Sequence, residues 1–313
     1  EETTEPTAET TEPTLDLFAE DENVTASGEC GKNGDNLTWT LTEDGTLTIS
    51  GTGTMKDYDW DDPAPWKELE VTRLVLEEGV TSIGNYAFRG CDLSELTLPS
   101  TLKTIGEEAA AYLFYCHTLH IPAGVTSIGH NALSGKAWNE ITVDPENHAF
   151  KVVDGGLYSI SETRLLAIEE GEGEFAVPDT VTQIDTDAFW NCDYSAIHLG
   201  ARIPGDLDAN SMLTGTRNLE AITVSESNPN LKAEDGVLFS ADGKRLICYP
   251  RKKQGESYTI PAGVETLGSG AFHENSYLTS LTLPEGLKEI DYQAIFWCNN
   301  LKSITIPASV TKL

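Results

Sequence analysis

The most regular feature of the chain is a short alternation of apolar and polar residues that returns, at most steps, after 22 to 25 residues. Leu96–Leu98 is an example, with a threonine between two leucines, and this period of two is typical of a half-buried β-strand. A proline such as Pro99 or Pro122 commonly follows and prevents the strand from continuing. The first apolar residues of these predicted strands are Leu74, Leu96, Leu119, Ile141, Phe175, Ile197, Ile222, Tyr258, Leu281 and Ile304.

Two intervals in this series are longer, 34 and 36 residues, and both contain the same insert. The stretch 147–168, NHAFKVVDGGLYSISETRLLAI, aligns with 228–249, NPNLKAEDGVLFSADGKRLICY. Asp154-Gly155 and Asp235-Gly236 occupy the same place in the two stretches and predict a tight hairpin turn. A larger unit of about 81 residues has therefore been duplicated.

Each short unit also carries a second apolar set, for example Val80, Ile83 and the pair Ala87-Phe88. A unit of this length is too small to bury both sets by itself, whereas stacked units would form one continuous core. The sequence therefore predicts a repeat solenoid, an α/β horseshoe-like and mostly β superhelix with parallel strands on one face. Short helical or 3-10 turns are expected on the other face, around Ala87-Phe88 and Ala188-Phe189.

The first part of the chain differs from the repeats. Residues 1–27 are rich in Glu, Thr and Pro and contain no Lys or Arg, so we expect a disordered linker. Within 28–70, apolar residues alternate over 37–41 and again over 47–49, on either side of Asp44-Gly45, which predicts a β-hairpin. We interpret this hairpin as an N-terminal cap, because an uncapped stack exposes an edge strand and apolar side chains. The other predicted parts are the solenoid, 71–313, and its hairpin inserts at about 147–170 and 228–253.

Charge and composition narrow the possible partners. With 51 Asp and Glu against 20 Lys and Arg, the formal net charge is -31, which disfavours nucleic acid and anionic membrane surfaces. Because no run of about 18 apolar residues occurs, we expect no membrane insertion. The acidic Thr/Pro linker favours a secreted or cell-surface protein whose signal peptide precedes this numbering. A unit is still incomplete at Leu313, so we expect the natural protein to continue.

Three runs carry a resemblance to a known family. GVTSIGNYAFRGC at 79–91, GVTSIGHNAL at 124–133 and GVETLGSGAF at 263–272 resemble the BspA-like leucine-rich repeats, also called the treponemal type. The stretch SGECGKNGDNLTWTLTEDGTLTISGTGTM from Ser27 also resembles the cap that precedes such repeats. The resemblance thus covers about 27–313.

This resemblance implies a right-handed leucine-rich-repeat superhelix, exported by a bacterium and often involved in adhesion. The family has no shared active site, so the resemblance supplies no catalytic residue. Plant and animal leucine-rich repeats carry an asparagine after the strand, whereas Thr101, Gly124 and Gly286 occupy that place here. We therefore expect no asparagine ladder at this position.

Six cysteines suggest a disulfide framework or a metal site at first sight. Cys91, Cys192 and Cys298 each lie eight residues after a core isoleucine, and Cys116 occupies the equivalent place after an insertion of three residues. We expect these four to form a ladder of small buried residues instead of disulfides. Cys248 is expected to be buried as well, and Cys30 either forms a disulfide or remains free.

The other candidates for chemistry are weak. Cys116, His117 and His120 resemble part of a zinc site, but a fourth ligand is missing and the register directs Cys116 inward and His120 outward. Motifs such as HExxH, GxSxG and GxxxxGK[ST] are absent from the sequence. We therefore expect no enzyme, no cofactor and no bound metal.

An acidic loop matches part of a calcium-binding pattern. Asp57, Asp59, Asp61 and Glu68 fall at positions 1, 3, 5 and 12 of such a loop. However, Asp62 stands where the pattern requires glycine, and prolines interrupt the loop. We expect a solvated acidic loop.

The remaining candidate is the outward face of the predicted parallel strands, which we call the strand face. Curved solenoids present such faces to ligands, although threonine is also simply a favourable strand residue. Aromatic residues near the cap, Tyr58, Trp60 and Trp66, either stack on sugars or pack against the first repeat. The candidate binding residues of the strand face are Glu95, Thr97, Thr118, His120, Glu140, Thr142, His198, Thr223, Thr282 and Thr305.

These features favour a non-catalytic, monomeric protein of the bacterial surface that mediates protein binding or adhesion. The protein ligand, for example a host surface or matrix protein, would be recognised through the strand face or the inserts. The alternative is a structural spacer or a glycan-binding accessory module of a larger secreted enzyme or scaffold complex.

Overall fold

The computed structural model describes residues 23–206, 212–213 and 215–313. Its regular elements within these residues are 25 short β-strands. They are β1 (Val24–Gly31), β2 (Gly34–Thr42), β3 (Thr46–Gly51), β4 (Gly53–Thr54), β5 (Arg73–Leu76), β6 (Val80–Ile83), β7 (Glu95–Thr97), β8 (Thr104–Ile105), β9 (Thr118–Ile121), β10 (Ser127–Ile128), β11 (Glu140–Val143), β12 (Phe150–Val153), β13 (Gly156–Ser159), β14 (Arg164–Ile168), β15 (Glu174–Ala176), β16 (Gln183–Ile184), β17 (Ala196–Leu199), β18 (Ala221–Val224), β19 (Leu231–Glu234), β20 (Val237–Ser240), β21 (Arg245–Cys248), β22 (Ser257–Thr259), β23 (Thr266–Leu267), β24 (Ser280–Thr282) and β25 (Glu289–Ile290).

Equivalent strands of successive units lie side by side and parallel, which confirms the predicted mostly-β solenoid of stacked coils. The first strands of the coils form one strip, in the groups β3-β5-β7, β9-β11, β15-β17-β18 and β22-β24. The second strands form another strip, in the groups β4-β6-β8-β10, β14-β16 and β21-β23-β25. In the first strip, core residues of neighbouring coils are opposite each other: Leu74 and Leu96, Leu119 and Ile141, Ile197 and Ile222, and Tyr258 and Leu281.

In each coil of this kind, the second strand is followed by a corner that consists of overlapping tight turns. Arg89 N–H donates to the Tyr86 carbonyl within its own turn, at 3.3 Å, while Phe88 N–H donates to the Ala109 carbonyl of the next coil, at 2.8 Å. Tyr86 and Gly90 both have left-handed backbone, with φ of 56° and 67°. Alternate N–H groups therefore bond within the turn and to the neighbouring coil.

The helical or 3-10 turns predicted around Ala87-Phe88 and Ala188-Phe189 are not confirmed. Two left-handed residues four positions apart occur at the second corner as well, at Asp187 and Asn191, with φ of 55° and 67°. A left-handed residue interrupts a right-handed helical turn, so these corners form overlapping turns instead.

The inserts are antiparallel units of three strands, one more than the predicted hairpin. In the first insert, β12, β13 and β14 pair in this order. Asp154 and Gly155, with φ of 46° and 76°, form the two-residue turn between β12 and β13. β14 then pairs in parallel with β16, so the insert continues the second strip. β19, β20 and β21 repeat this arrangement, with β23 as the parallel partner.

A buried asparagine fastens each insert to the preceding coil. The Asn147 side-chain amide donates to the carbonyls of Pro122 and Val125, at 2.8 and 2.9 Å, and its oxygen accepts two N–H groups of the insert. Asn228 makes the equivalent four bonds in the second insert. Each of these side-chain amides thus has a partner for both N–H donors and for both acceptor positions of its oxygen, so its burial costs little free energy.

Each insert also separates two apolar cores. In β14, Leu166 packs into the N-terminal core while the adjacent Leu165 packs into the middle core. In β21, Ile247 packs into the middle core while Leu246 packs into the C-terminal core. The alternation of a strand directs successive side chains to opposite faces, so one insert strand contributes to two cores. The described solenoid therefore contains three cores divided by two insert sheets.

The N-terminal strands begin earlier than the sequence indicates. β1 starts at Val24, within the predicted linker 1–27, because its backbone pairs with β2 from Val24 onward. Residues 1–22 of the predicted linker lie outside the described residues. The β2–β3 hairpin is present, and of Asp44-Gly45 only Gly45 is left-handed, with φ of 80°. β3 then pairs in parallel with β5, which joins the hairpin to the first coil.

Candidate binding face

The strand face is formed because each first strand places one core side chain between two outward ones. In β7 and β24 the central leucine is buried, and its neighbours Glu95, Thr97 and Thr282 are exposed. Thr118, His120, Glu140 and Thr142 are exposed on β9 and β11 in the same way. The register predicted from the sequence therefore correctly identifies the outward side chains of these strands.

Parallel pairing brings some of these candidate residues into contact across neighbouring coils. His120 is opposite Thr142, and its Nδ1 lies 2.9 Å from the threonine hydroxyl. His198 is opposite Thr223 with the same 2.9 Å distance between ring nitrogen and hydroxyl. The two duplicated halves of the chain thus carry the same histidine–threonine pair on the strand face.

The candidate residues do not form one uninterrupted sheet. β11 and β15 belong to different groups of the first strip, as do β18 and β22, and an insert lies between the members of each pair. Thr305 is exposed, but its segment is not part of a strand, in contrast to the prediction. The backbone of this segment is held to the previous coil by a bond from Lys302 N–H to the Thr279 carbonyl, at 3.4 Å.

The cysteines are free thiols, and all except Cys298 are buried. Cys91, Cys116 and Cys192 occupy the predicted ladder, and Cys298 is half-buried at its end. Burial raises the pKa of the Cys91 thiol to about 11 and that of Cys192 to about 12. Protonated thiols are poor nucleophiles and poor metal ligands, so these cysteines fill space in the core.

The two suspected metal sites are the stretch that contains Cys116 and His120, and the acidic loop that contains Asp59. Cys116 is buried and His120 exposed, so they diverge as the register predicts. In the acidic loop, the Asp59 carboxylate accepts the N–H groups of Asp61 and Asp62, each at 2.8 Å. Among the residues that the structure describes, no cluster of three or more His, Cys, Asp or Glu side chains is arranged to hold a metal ion.

Two of the three aromatic residues near the hairpin pack against the first repeat. Trp66 is fully buried, stacks on Phe88 at a ring distance of 5.3 Å and donates from its indole nitrogen to the Ala87 carbonyl. Tyr58 is also buried and meets the edge of Trp66. Trp60 is 72% exposed and lies over the Arg89 guanidinium.

Sequence reasoning missed a second surface, at the corners of the coils. In several coils, two residues between the core phenylalanine or its equivalent and the cysteine position lie at the surface of the corner, such as Trp190-Asn191 and Phe296-Trp297. These residues line an open groove that spans several coils. The signal was present in the repeat alignment, as a column where aromatic residues recur next to buried positions.

The fold defines the chain as a repeat protein built of stacked β coils. The model of the BspA type leucine-rich repeat region matches it in six copies, over residues 66–194, 166–234 and 248–313, which is more than half of the chain. The chain therefore belongs to the BspA-type leucine-rich repeat family. No helix in the described part of the chain has the length and apolar character needed to cross a membrane.

Solved structures similar to this chain include bacterial leucine-rich repeat proteins. A leucine-rich repeat protein from Eubacterium ventriosum has 24% identity and a TM-score of 0.47, covering 92% of this chain and 68% of the other. A leucine rich cell surface protein from Faecalibacterium prausnitzii has 21% identity and a TM-score of 0.47, covering 89% and 83%. The pneumococcal vaccine antigen PcpA has 20% identity and a TM-score of 0.40, covering 92% and 72%. No curated protein matches the sequence.

Proposed function

We propose that this chain is a non-catalytic, secreted or cell-surface module that binds a protein ligand through its strand face. The observation that carries the proposal is the repeated exposure of short polar side chains at one register, among them Thr97, Thr142 and Thr282. Such a face is rigid, because its backbone is hydrogen-bonded between coils, and a rigid surface loses little entropy on binding. Membership of the BspA-type family supports a binding role over a catalytic one.

The paired side chains add hydrogen-bonding capacity to this face. Histidine rings and threonine hydroxyls both donate and accept, so the pairs at His120 and His198 can bond to a ligand and to each other. The salt bridge between Arg73 and Glu95, at 3.1 Å, balances charge at one end of the face. We infer that the hairpin β2–β3 caps the stack, and that the module acts as a monomer.

The experiment is surface plasmon resonance of the chain against an array of host matrix proteins and plant glycans. The single variants Thr97→Arg, Thr142→Arg and Thr282→Arg place a long cation on the strand face without disturbing a buried side chain. Each is expected to weaken binding to a matrix protein by about tenfold or more, because a misplaced charge at an interface is costly to desolvate.

The matched controls are Thr126→Arg and Thr182→Arg, which make the same change at exposed threonines beside the second strip. These controls are expected to bind like the unmodified chain. Loss of binding in the controls but not in the strand-face variants would place the ligand elsewhere, and absence of binding to every matrix protein would contradict the proposal.

A further inference from the structure

The groove at the corners of the coils has a volume of about 960 Å³ and is open to solvent along its length. It is built from the corners of successive middle and C-terminal coils, at 186–191, 215–218, 251–252, 273–274 and 293–297, with Phe114 as a contribution from an earlier coil. None of the candidate residues of the strand face lines it. The groove is therefore a separate surface, and an inference about it goes beyond the function proposed above.

Aromatic rings dominate one wall of the groove. Phe296 and Trp297 stack on each other at 4.9 Å, and the His273 ring lies 5.6 Å from Phe296. Trp297 is 58% exposed and Phe114 is 51% exposed, so each ring presents a large apolar area to solvent. Trp190 lies flat against the backbone at Gly215, where an added Cβ atom would come within 2.8 Å of its ring.

Cations stand beside these rings. Arg217, Arg251 and Lys252 line the groove in a chain whose formal net charge is -31. The two carboxylates of the lining already have partners, since Asp187 accepts the Tyr112 hydroxyl at 2.5 Å and Glu274 pairs with Arg251. Within the described residues, Arg217 has no ion-pair partner. A ligand carboxylate would find here a guanidinium, beside exposed aromatic rings, that is not paired with an acidic side chain of the described residues.

We propose that this groove binds a carboxylated oligosaccharide. The flat faces of Trp297 and Trp190 fit the apolar faces of sugar rings, and aromatic rings with one wet side are typical of such contacts. The guanidinium of Arg217 matches the geometry of a carboxylate and can donate two parallel hydrogen bonds to it. The amides of Asn191 and Asn218 can both donate to and accept from sugar hydroxyls.

An acidic peptide fits these features less well. The lining residues lie in turns, bends and loops and not on the edge of a strand, so the groove offers no place for a peptide to add to a sheet. Its rings are also exposed as flat faces and do not enclose a deep pocket for an apolar side chain. A saccharide needs neither feature.

Isothermal titration calorimetry tests the proposal with pairs of ligands that differ in the carboxylate. One pair is tetragalacturonate and its methyl ester, and the other is sialyllactose and lactose, which distinguishes a uronate chain from a terminal sialic acid. At least one acidic sugar is expected to bind about tenfold or more tightly than its neutral counterpart, and to weaken as salt is added. Equal binding of both members in each pair, or no binding of either acid, would overturn the proposal.

Variants locate the binding. Arg217→Ala and Trp297→Ala are each expected to weaken binding of the acidic sugar by about tenfold. Lys302→Ala and Trp60→Ala remove an exposed cation and an exposed indole outside the groove and are expected to leave the affinity unchanged. Unchanged affinity in the groove variants, or binding of a glutamate-rich hexapeptide in place of the sugars, would overturn the proposal. The strand-face variants are expected to bind the sugar normally, so failure here is distinguishable from failure of the protein-binding function.

Discussion

At the scale of single residues, two aspartates with opposite surroundings should give opposite dependence of stability on pH. Burial raises the pKa of Asp187, and the hydrogen bond from Tyr112 only partly opposes this effect. At the turn between β2 and β3, hydrogen bonds from the Thr42 hydroxyl and from Thr46 lower the pKa of Asp44. Burial thus favours the protonated form of one side chain, and hydrogen bonding favours the charged form of the other.

The sign of each effect follows from which state binds the proton more tightly. Where the folded-state pKa is raised, stability is lost as the pH rises through it; where it is lowered, stability is lost as the pH falls through it. As the pH rises from about 3 to about 7, the free energy of unfolding of Asp187→Asn should therefore increase relative to that of the unmodified chain. Over the same range, the free energy of unfolding of Asp44→Asn should decrease relative to that of the unmodified chain. Urea unfolding at constant ionic strength measures both differences. The same sign for the two variants would contradict this account.

At the scale of elements, an arginine at the start of β14 connects the first insert to two coils. The Arg164 guanidinium donates to both oxygens of Asp185, at 2.7 Å each, and to the carbonyls of Ile128 and Gly129. The Asp185 side chain is 1% exposed, so the guanidinium is the counter-ion of a buried carboxylate. In the second insert, Arg245 pairs with Asp291, whose side chain is 20% exposed.

Removing these two arginines should therefore have unequal effects. Arg164→Ala leaves a buried carboxylate without its cation, which is expected to lower the free energy of unfolding by about 3 kcal/mol or more. In Arg245→Ala the Asp291 carboxylate loses its cation but is already partly hydrated. The free energy of unfolding is therefore expected to fall by only about 1 kcal/mol or less. Urea denaturation of the two variants provides the comparison. Equal losses would show that the burial of the pair does not matter.

The elements also show which parts of the fold could be predicted. The strands and their register follow from alternation and from the constant spacing of apolar residues, so Leu74, Leu96 and Tyr258 were correctly placed. The helical turns predicted around Ala87-Phe88 and Ala188-Phe189 were not found, because Tyr86 and Asp187 adopt left-handed backbone, which has no clear sequence signal at residues other than glycine. The third strand of each insert was missed, since periodicity alone does not show which strand a segment pairs with.

The same limit applies to the binding surfaces. The strand face could be predicted because its residues are spaced by the repeat itself. For the groove, the repeat alignment shows a column of recurring aromatic residues but not the groove itself, since Trp190, Arg217 and Trp297 come from different coils and line one surface only in the folded chain. The alignment of repeats gives the column that each residue occupies, but not the inclination of neighbouring corners toward one another.

At the scale of the whole molecule, the insert sheets divide the apolar interior into three cores. Phe88, Phe189 and Phe272 are fully buried and occupy the same place of the repeat, one in each core. In a solenoid each coil contacts only its neighbours, so local stability can differ along the chain. We expect an insert sheet that contributes apolar side chains to both sides to couple two cores less tightly than direct packing between them would.

Hydrogen–deuterium exchange of three variants should reveal this division. Phe88→Ala, Phe189→Ala and Phe272→Ala each remove a buried ring, at a cost of about 3–5 kcal/mol to the core that contains it. Exchange in the affected core is expected to accelerate by about 100-fold or more, since exchange reports the local free energy of opening. Phe272→Ala should accelerate exchange after residue 249 and leave 28–130 protected, and Phe88→Ala should do the reverse. If exchange accelerated equally along the whole solenoid in either variant, the chain would unfold as one cooperative unit and the division into three cores would have no effect on stability. Acceleration confined to one side of an insert would instead make that insert the boundary between cooperative units.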